Sequence, residues 1–361
     1  MKSLRVERVL RGMEQKGLSQ MVVSDPYSVY YLTGRWIFPG ERLLALLLGT
    51  DGKHHLVLSN LYPQPEDSDL EVTYVDDIED CIETLSVYVK KGTVTGVDKN
   101  WQAKFLLRMQ ELNPTNTFVN ASVIVDNVRM IKDEEEQELM RRSSLLNDAA
   151  VARLTEIANK GYNEQQLSDE LLKIYKELGA EGFSFEPIIA FGKNTADPHY
   201  MPQHAKALCG DCMTFDIGGK KDNYCSDMTR DVFLGKVSDR QREIYEIVLE
   251  ANLRGIAAAK PGNRMCDVDL AARRYIESKG LGEYFPHRTG HSIGLEVHEF
   301  GNVAYNNENI IQPGQCFSVE PGIYLPDEGF GIRIEDLVLI TENGCEVLNH
   351  YTKDLIVIPF E

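Results

Sequence analysis

Two pairs of acidic residues, each placed symmetrically about a turn-forming stretch, constrain this chain more than any other feature. Asp216 and Asp227 flank GGKKDN, and Glu320 and Glu335 flank LPDEGF. The surrounding segments, CMTFDIGG, YCSDMTRDVFLG, CFSVEPGIYL and GIRIEDLVLI, read as strands. A hairpin centred between Lys221 and Asp222 sets Asp216 directly opposite Asp227, and one centred between Asp327 and Glu328 does the same for Glu320 and Glu335. Opposed residues share a face with Cβ atoms about 5 Å apart, unless a bulge slips the register. Each like-charged pair near 4 Å costs about 4 kcal/mol at an effective dielectric of about 20. Four carboxylates gathered in this way therefore require protonation or a cation.

The histidines point to the same part of the chain. Of eight, five fall between residues 199 and 298, and HRTGHSIGLEVHE packs His287, His291 and His298 into one segment. Gly290 and Gly294 disfavour a regular helix there, so the segment reads as a loop or strand rim where backbone approaches something closely. Read singly, the two Asp are ordinary exposed hairpin residues and the two Glu ordinary partners of arginine; the clustered histidines shift the balance towards a site. Four carboxylates and one imidazole neutralise two divalent ions and leave charge for a bridging hydroxide. An oxygen-rich donor set with one nitrogen suits Mn, Co, Fe or Zn.

The 361 residues exceed what one core usually covers, so two domains are expected. With 43% hydrophobic and 26% charged residues and no low-complexity tract, the composition is that of a globular protein. A formal net charge of -18 without a basic stripe argues against a nucleic-acid partner. The opening MKSLRVERVLRGMEQKGLSQ has no apolar secretory core, and no apolar run approaches the roughly eighteen residues of a membrane span. A cytoplasmic protein with no membrane partner is the expectation. Seven scattered cysteines read as reduced thiols, and Cys209-x-x-Cys212 lacks the second pair of a zinc site.

Along residues 1–125, a helical pattern over 4–16, the strand-like MVVSD, LLALLL and HHLVLS, and an Asp51-Gly52 turn predict a small α/β domain. IKDEEEQELMRRSSLLNDAAVARLTEIA then begins a long helix with an acidic front. Capping boxes at Asn163/Gln166 and Ser238/Gln241 start two more, and DVDLAARRYIESK stops at Gly280. Helices alternating with antiparallel hairpins predict an α+β second domain over 126–361.

The segments FDIGG, YCSDMTR, HRTGHSIGLEVHE, FSVEPGIY and GIRIED, in this order, resemble the motif series of the "pita-bread" metallopeptidases, the family of prolidase, aminopeptidase P and methionine aminopeptidase. The first part, with SDPYSVYYLTG, resembles the creatinase-type N-terminal domain that prolidase and aminopeptidase P carry. The resemblance implies a pita-bread catalytic domain, a pseudo-twofold antiparallel sheet with helices, behind a smaller creatinase-like α/β domain. Position by position it implies metal ligands Asp216, Asp227, His291, Glu320 and Glu335. Asp227 and Glu335 would bridge two divalent ions, manganese first, with cobalt, zinc or iron accepted. It also implies catalytic or substrate-contacting roles for His199, His298, Glu320 and Arg333. The implied reaction is cleavage of a proline-containing di- or oligopeptide by a metal-bridged hydroxide, in an enzyme commonly found as a homodimer.

An Xaa-Pro dipeptidase, or prolidase, is the first reading, and an Xaa-Pro aminopeptidase of the aminopeptidase P type acting on longer peptides is the alternative. In the prolidase-like pattern an arginine is expected where this chain has Asn302, which leaves Arg288 and Arg333 as cations for a substrate carboxylate. A metal-free creatinase-like enzyme or a peptide-binding module is a third reading, against which the presence of all five ligands stands.

Overall fold

The computed structural model describes residues 1–64 and 70–360. The chain divides into two compact units, Met1–Arg129 and Met130–Glu361. The sequence places the division at 125/126, inside the helix Ser122–Met130.

In the first unit, six strands form one mixed sheet. Their order across it is Glu71–Val75, His54–Ser59, Leu44–Gly49, Gln20–Val23, Val94–Val97 and Thr117–Asn120. The Asp51-Gly52 turn lies where expected: Leu48 pairs with His54 across it, and Gly52 takes φ 80, a left-handed backbone that glycine adopts without steric penalty. Helix Ser3–Gln15 buries Val6, Val9 and Met13, one stripe at three- and four-residue spacing. A core containing Val22, Leu47, Val57, Phe105 and Met109 lies against the sheet.

The second unit runs through one sequence of elements twice. Helices Glu134–Ile157 and Glu164–Leu178 precede the antiparallel strands Cys212–Ile217 and Met228–Leu234. Helices Asp239–Ala258 and Met265–Ser278 precede the antiparallel strands Cys316–Val319 and Asp336–Ile340. The capping boxes expected at Asn163/Gln166 and Ser238/Gln241 are formed, and Asp133 with Glu136 makes a third. Each cap satisfies N–H groups that the first helical turn cannot, so these helices begin where the sequence says. Leu154, Leu171 and Ile174 pack on Met213, Phe215 and Val232, while Ile244, Val248 and Ile276 pack with Phe233, Ile323 and Ile332. Each such side chain, fully buried, contributes about 1.5–3 kcal/mol.

The first hairpin corrects the expected register. Lys221 pairs with Tyr224, and the turn residues are Asp222 and Asn223, at φ 50 and 68. The loop is thus centred one position later than expected, and Asp216 stands opposite Thr229 rather than Asp227. A two-residue hairpin turn of the type formed here takes left-handed backbone at both positions, which Asp and Asn tolerate better than Lys. The slip of two residues preserves the alternation of faces, so Asp216 and Asp227 still serve one side. The second hairpin keeps its expected register. Val319 pairs with Asp336 and Gly322 with Arg333, which sets Glu320 opposite Glu335 between them.

Candidate active site

Asp216 lies on the strand Cys212–Ile217, and Asp227 immediately precedes the strand Met228–Leu234. His291 is central in the strand Gly290–Ser292, Glu320 follows Cys316–Val319, and Glu335 lies between Phe330–Arg333 and Asp336–Ile340. All five line one cavity of about 580 Å³, together with His199, His298, Arg333 and Arg288. Every site residue predicted from the sequence is therefore brought to the same space, although not all are equally deep. Asp227, His291 and Glu335 are buried, Glu320 is partly buried, and His199 and His298 are exposed at the rim.

Gly290 is what lets His291 reach the carboxylates. A Cβ at that position would collide with the carbonyl oxygen of Ser318, so only glycine allows the two strands to approach this closely. The His291 backbone N–H then donates to Ser318 Oγ at 3.0 Å, and that hydroxyl donates to Glu320 Oε1 at 2.9 Å, which orients the carboxylate. The ring of His291 has its Nδ1 at 3.3 Å from the Ser292 carbonyl. That acceptor calls for the proton on Nδ1 and leaves Nε2 with its lone pair. Burial pulls the imidazole down to about 3, so it is neutral.

Nε2 of His291 faces Glu320 Oε1 at 3.3 Å and Asp227 Oδ2 at 3.6 Å. A lone pair turned towards two carboxylate oxygens is unfavourable unless a proton or a cation stands among them. Asp227, His291 and Glu335 each offer a ligand atom within 4.8 Å of the others. Asp216 Oδ1, Asp227 Oδ1 and Glu335 Oε1 are buried without a hydrogen-bond partner among the described residues, although buried polar atoms are ordinarily satisfied. Burial, and then the neighbouring carboxylates, push Asp227 and Glu335 well above the usual carboxylate range. Burial raises Glu320 to about 7. This donor set, oxygen-rich with one imidazole and short of partners, fits divalent cations.

Arg333 is 4% exposed and donates to Asp216 Oδ2 at 2.6 Å, to Tyr324 Oη at 2.7 Å and to Thr229 Oγ1 at 3.1 Å. It fixes one oxygen of Asp216 and leaves the other open to the cavity. The ring of His298 meets that of His291 edge-on, with centroids 4.2 Å apart, and the partial desolvation of the ring, followed by the charge of Arg288, lowers its pKa. Sequence reasoning did not single out Tyr324, which bridges Arg333 and His287 Nε2, the latter at 2.9 Å. Its signal is period two: Glu320, Gly322 and Tyr324 alternate onto one side of a strand. Ser318 and Thr229, whose hydroxyl donates to Glu335 Oε2 at 2.8 Å, were also missed. Cys209 and Cys212 are both free thiols.

The model of metallopeptidase family M24 matches residues 138–342, and that of the creatinase/prolidase N-terminal domain matches residues 5–131. The protein YkvY of Bacillus subtilis (strain 168) is 34% identical over 98% of this chain and 99% of its own length. Among solved structures, the dipeptidase from Pyrococcus horikoshii OT3 superposes with a TM-score of 0.93 at 32% identity, covering 98% of this chain and 100% of its own. The recombinant prolidase from Thermococcus sibiricus gives 0.92 at 31% identity, covering 99% of each chain.

Proposed function

We propose, from the premise that this chain belongs to metallopeptidase family M24 and carries a creatinase/prolidase N-terminal domain, that it is a dipeptidase hydrolysing Xaa-Pro bonds. The observation that carries the reading is the set of donors around His291 Nε2, with three buried carboxylate oxygens lacking partners beside it. Similar structures covering 98% and 99% of the chain bear the names dipeptidase and prolidase, which favours the dipeptide substrate, although an X-Pro aminopeptidase from Thermotoga maritima MSB8 also covers 98% of the chain at 30% identity.

In this reading Asp216, Asp227, His291, Glu320 and Glu335 would hold two divalent cations, manganese first and cobalt, zinc or iron also accepted. When bound, such cations polarise the scissile carbonyl and acidify the attacking water. Glu320, oriented by Ser318, takes a proton from that water and passes it to the leaving nitrogen. His298 donates to the oxygen on which charge develops, and His199 orients the substrate from the rim. Arg333 keeps Asp216 turned to the cavity. An imide nitrogen preceding proline has no hydrogen to offer, so the shape of the ring has to be recognised instead. A cytoplasmic homodimer completes the proposal. The free thiols support the compartment, and size-exclusion chromatography with light scattering checks the dimer.

Chelated protein replenished with manganese or cobalt is expected to hydrolyse Leu-Pro, and Asp227→Asn to lower kcat/KM on the order of 100- to 1,000-fold, the scale seen when a transition-state contact is lost. Undiminished hydrolysis by Asp227→Asn in chelator would overturn the scheme. Faster cleavage of Ala-Pro-Ala than of Ala-Pro would move the enzyme to the aminopeptidase class.

A further inference from the structure

We propose that Arg288, held in place by Asn302, receives the C-terminal carboxylate of the substrate and so sets its length; this rests on the dipeptidase reading. Two guanidinium groups line the catalytic cavity. Arg333 is consumed by Asp216, its charge compensated and its N–H groups engaged. Arg288 differs: among the described residues its partner is the neutral Asn302, whose Oδ1 accepts from Nη1 at 2.6 Å, and no carboxylate lies within ion-pair distance. An arginine carries five N–H donors, so most of its fork remains available to a bidentate acceptor.

The base of this side chain is fixed beside the chemistry. Thr289, the next residue, donates through its backbone N–H and hydroxyl to the buried Asp269, and its carbonyl accepts from the Glu320 N–H at 2.8 Å. Asn302 is the antiparallel partner of His291. The guanidinium is therefore anchored one hydrogen bond from Glu320 along the chain and one from the strand partner of His291. A dipeptide carries its carboxylate on the carbon bonded to the leaving nitrogen, so a receptor for it must stand inside the catalytic cavity, as Arg288 does. A longer peptide presents a neutral amide at that point and leaves the guanidinium desolvated without a counter-charge, which is unfavourable. Asn302 suits this role because it holds the fork without neutralising it.

The test uses the metal-loaded full chain and compares Leu-Pro with Leu-Pro amide. Arg288→Met is expected to raise KM for Leu-Pro on the order of 10- to 100-fold, the scale of one charge-assisted hydrogen bond or pair, with kcat nearly unchanged. The amide should be cleaved at least as fast as by wild type, because the variant has no guanidinium to desolvate, and Arg288→Lys should recover part of the loss on Leu-Pro. Asn302→Asp, which puts an anion on the same guanidinium, should reproduce the Leu-Pro defect in a folded protein. Equal losses on the two substrates, or none on either, would overturn the assignment. Binding of L-proline against L-prolinamide, measured by calorimetry, separates it from the reading on which it rests. A wild type inactive on dipeptides that still prefers proline, with the preference lost in Arg288→Met, strikes the dipeptidase reading and supports the carboxylate receptor. A wild type without that preference overturns the receptor.

Discussion

Glu335 is 1% exposed, with one oxygen on Thr229 and the other without a hydrogen-bond partner among the described residues. A carboxylate kept there beside Asp227 and Glu320 destabilises the metal-free protein, because neighbouring charges in a dry site repel strongly. Glu335→Gln should therefore melt higher than wild type in chelator, by roughly 3–8 °C if about 1–3 kcal/mol of repulsion is removed. Added manganese should reverse the order, since a cation at 100 times its Kd stabilises wild type by about 2.7 kcal/mol and the variant by less. Differential scanning fluorimetry with and without metal checks this, and equal metal shifts in both proteins would remove Glu335 from the donor set. The acids were legible in the sequence because charge repeated about turns is conspicuous. Ser318, Thr229 and Tyr324 were not, because a neutral hydroxyl that orients a carboxylate has the same sequence signature as one that faces water.

Register belongs to the scale of the element. The first hairpin turns at Asp222-Asn223, with both residues left-handed, and this one local requirement overrides the symmetric placement of Asp216 and Asp227. Asn223→Gly should leave stability within about 0.5 kcal/mol of wild type, whereas Asn223→Val should cost about 1–3 kcal/mol, because a β-branched side chain is strained in that conformation. Urea unfolding monitored by circular dichroism distinguishes the two, and an unaffected valine variant would contradict the turn assignment. Symmetry of charge could be read from the sequence, but the turn was decided by backbone sterics two residues long. The convergence survived because a slip of two keeps side chains on their face, where a slip of one would have sent Asp227 to the opposite side. Helix starts were legible at Asn163 and Ser238 because the capping pair is written locally.

At the scale of the whole catalytic unit, the two helix-pair-and-hairpin halves are tied together by Arg230. It is 2% exposed and donates to Asp336 Oδ1 at 2.7 Å and to the carbonyls of Glu335, Tyr351 and Thr352, while Lys353 takes the other oxygen of Asp336. Arg230→Met should destabilise by about 3–5 kcal/mol, since it leaves a fully buried carboxylate with half its charge partners. A fall in melting temperature on the order of 10 °C is expected, and a shift of less than about 2 °C would show that the tie carries little. The α+β class and the division into two units were legible from helix caps and alternating strands. This tie was not, because a lone arginine in a strand pattern reads as a residue facing solvent. Repetition within the unit has a practical consequence. Asp216 and Asp227 belong to the first half, and His291, Glu320 and Glu335 to the second. A polypeptide nicked in the linker between Leu234 and Asp239 would carry only part of the proposed donor set in each fragment, so that binding of metal would report the reassembly of the two halves, as a split reporter does.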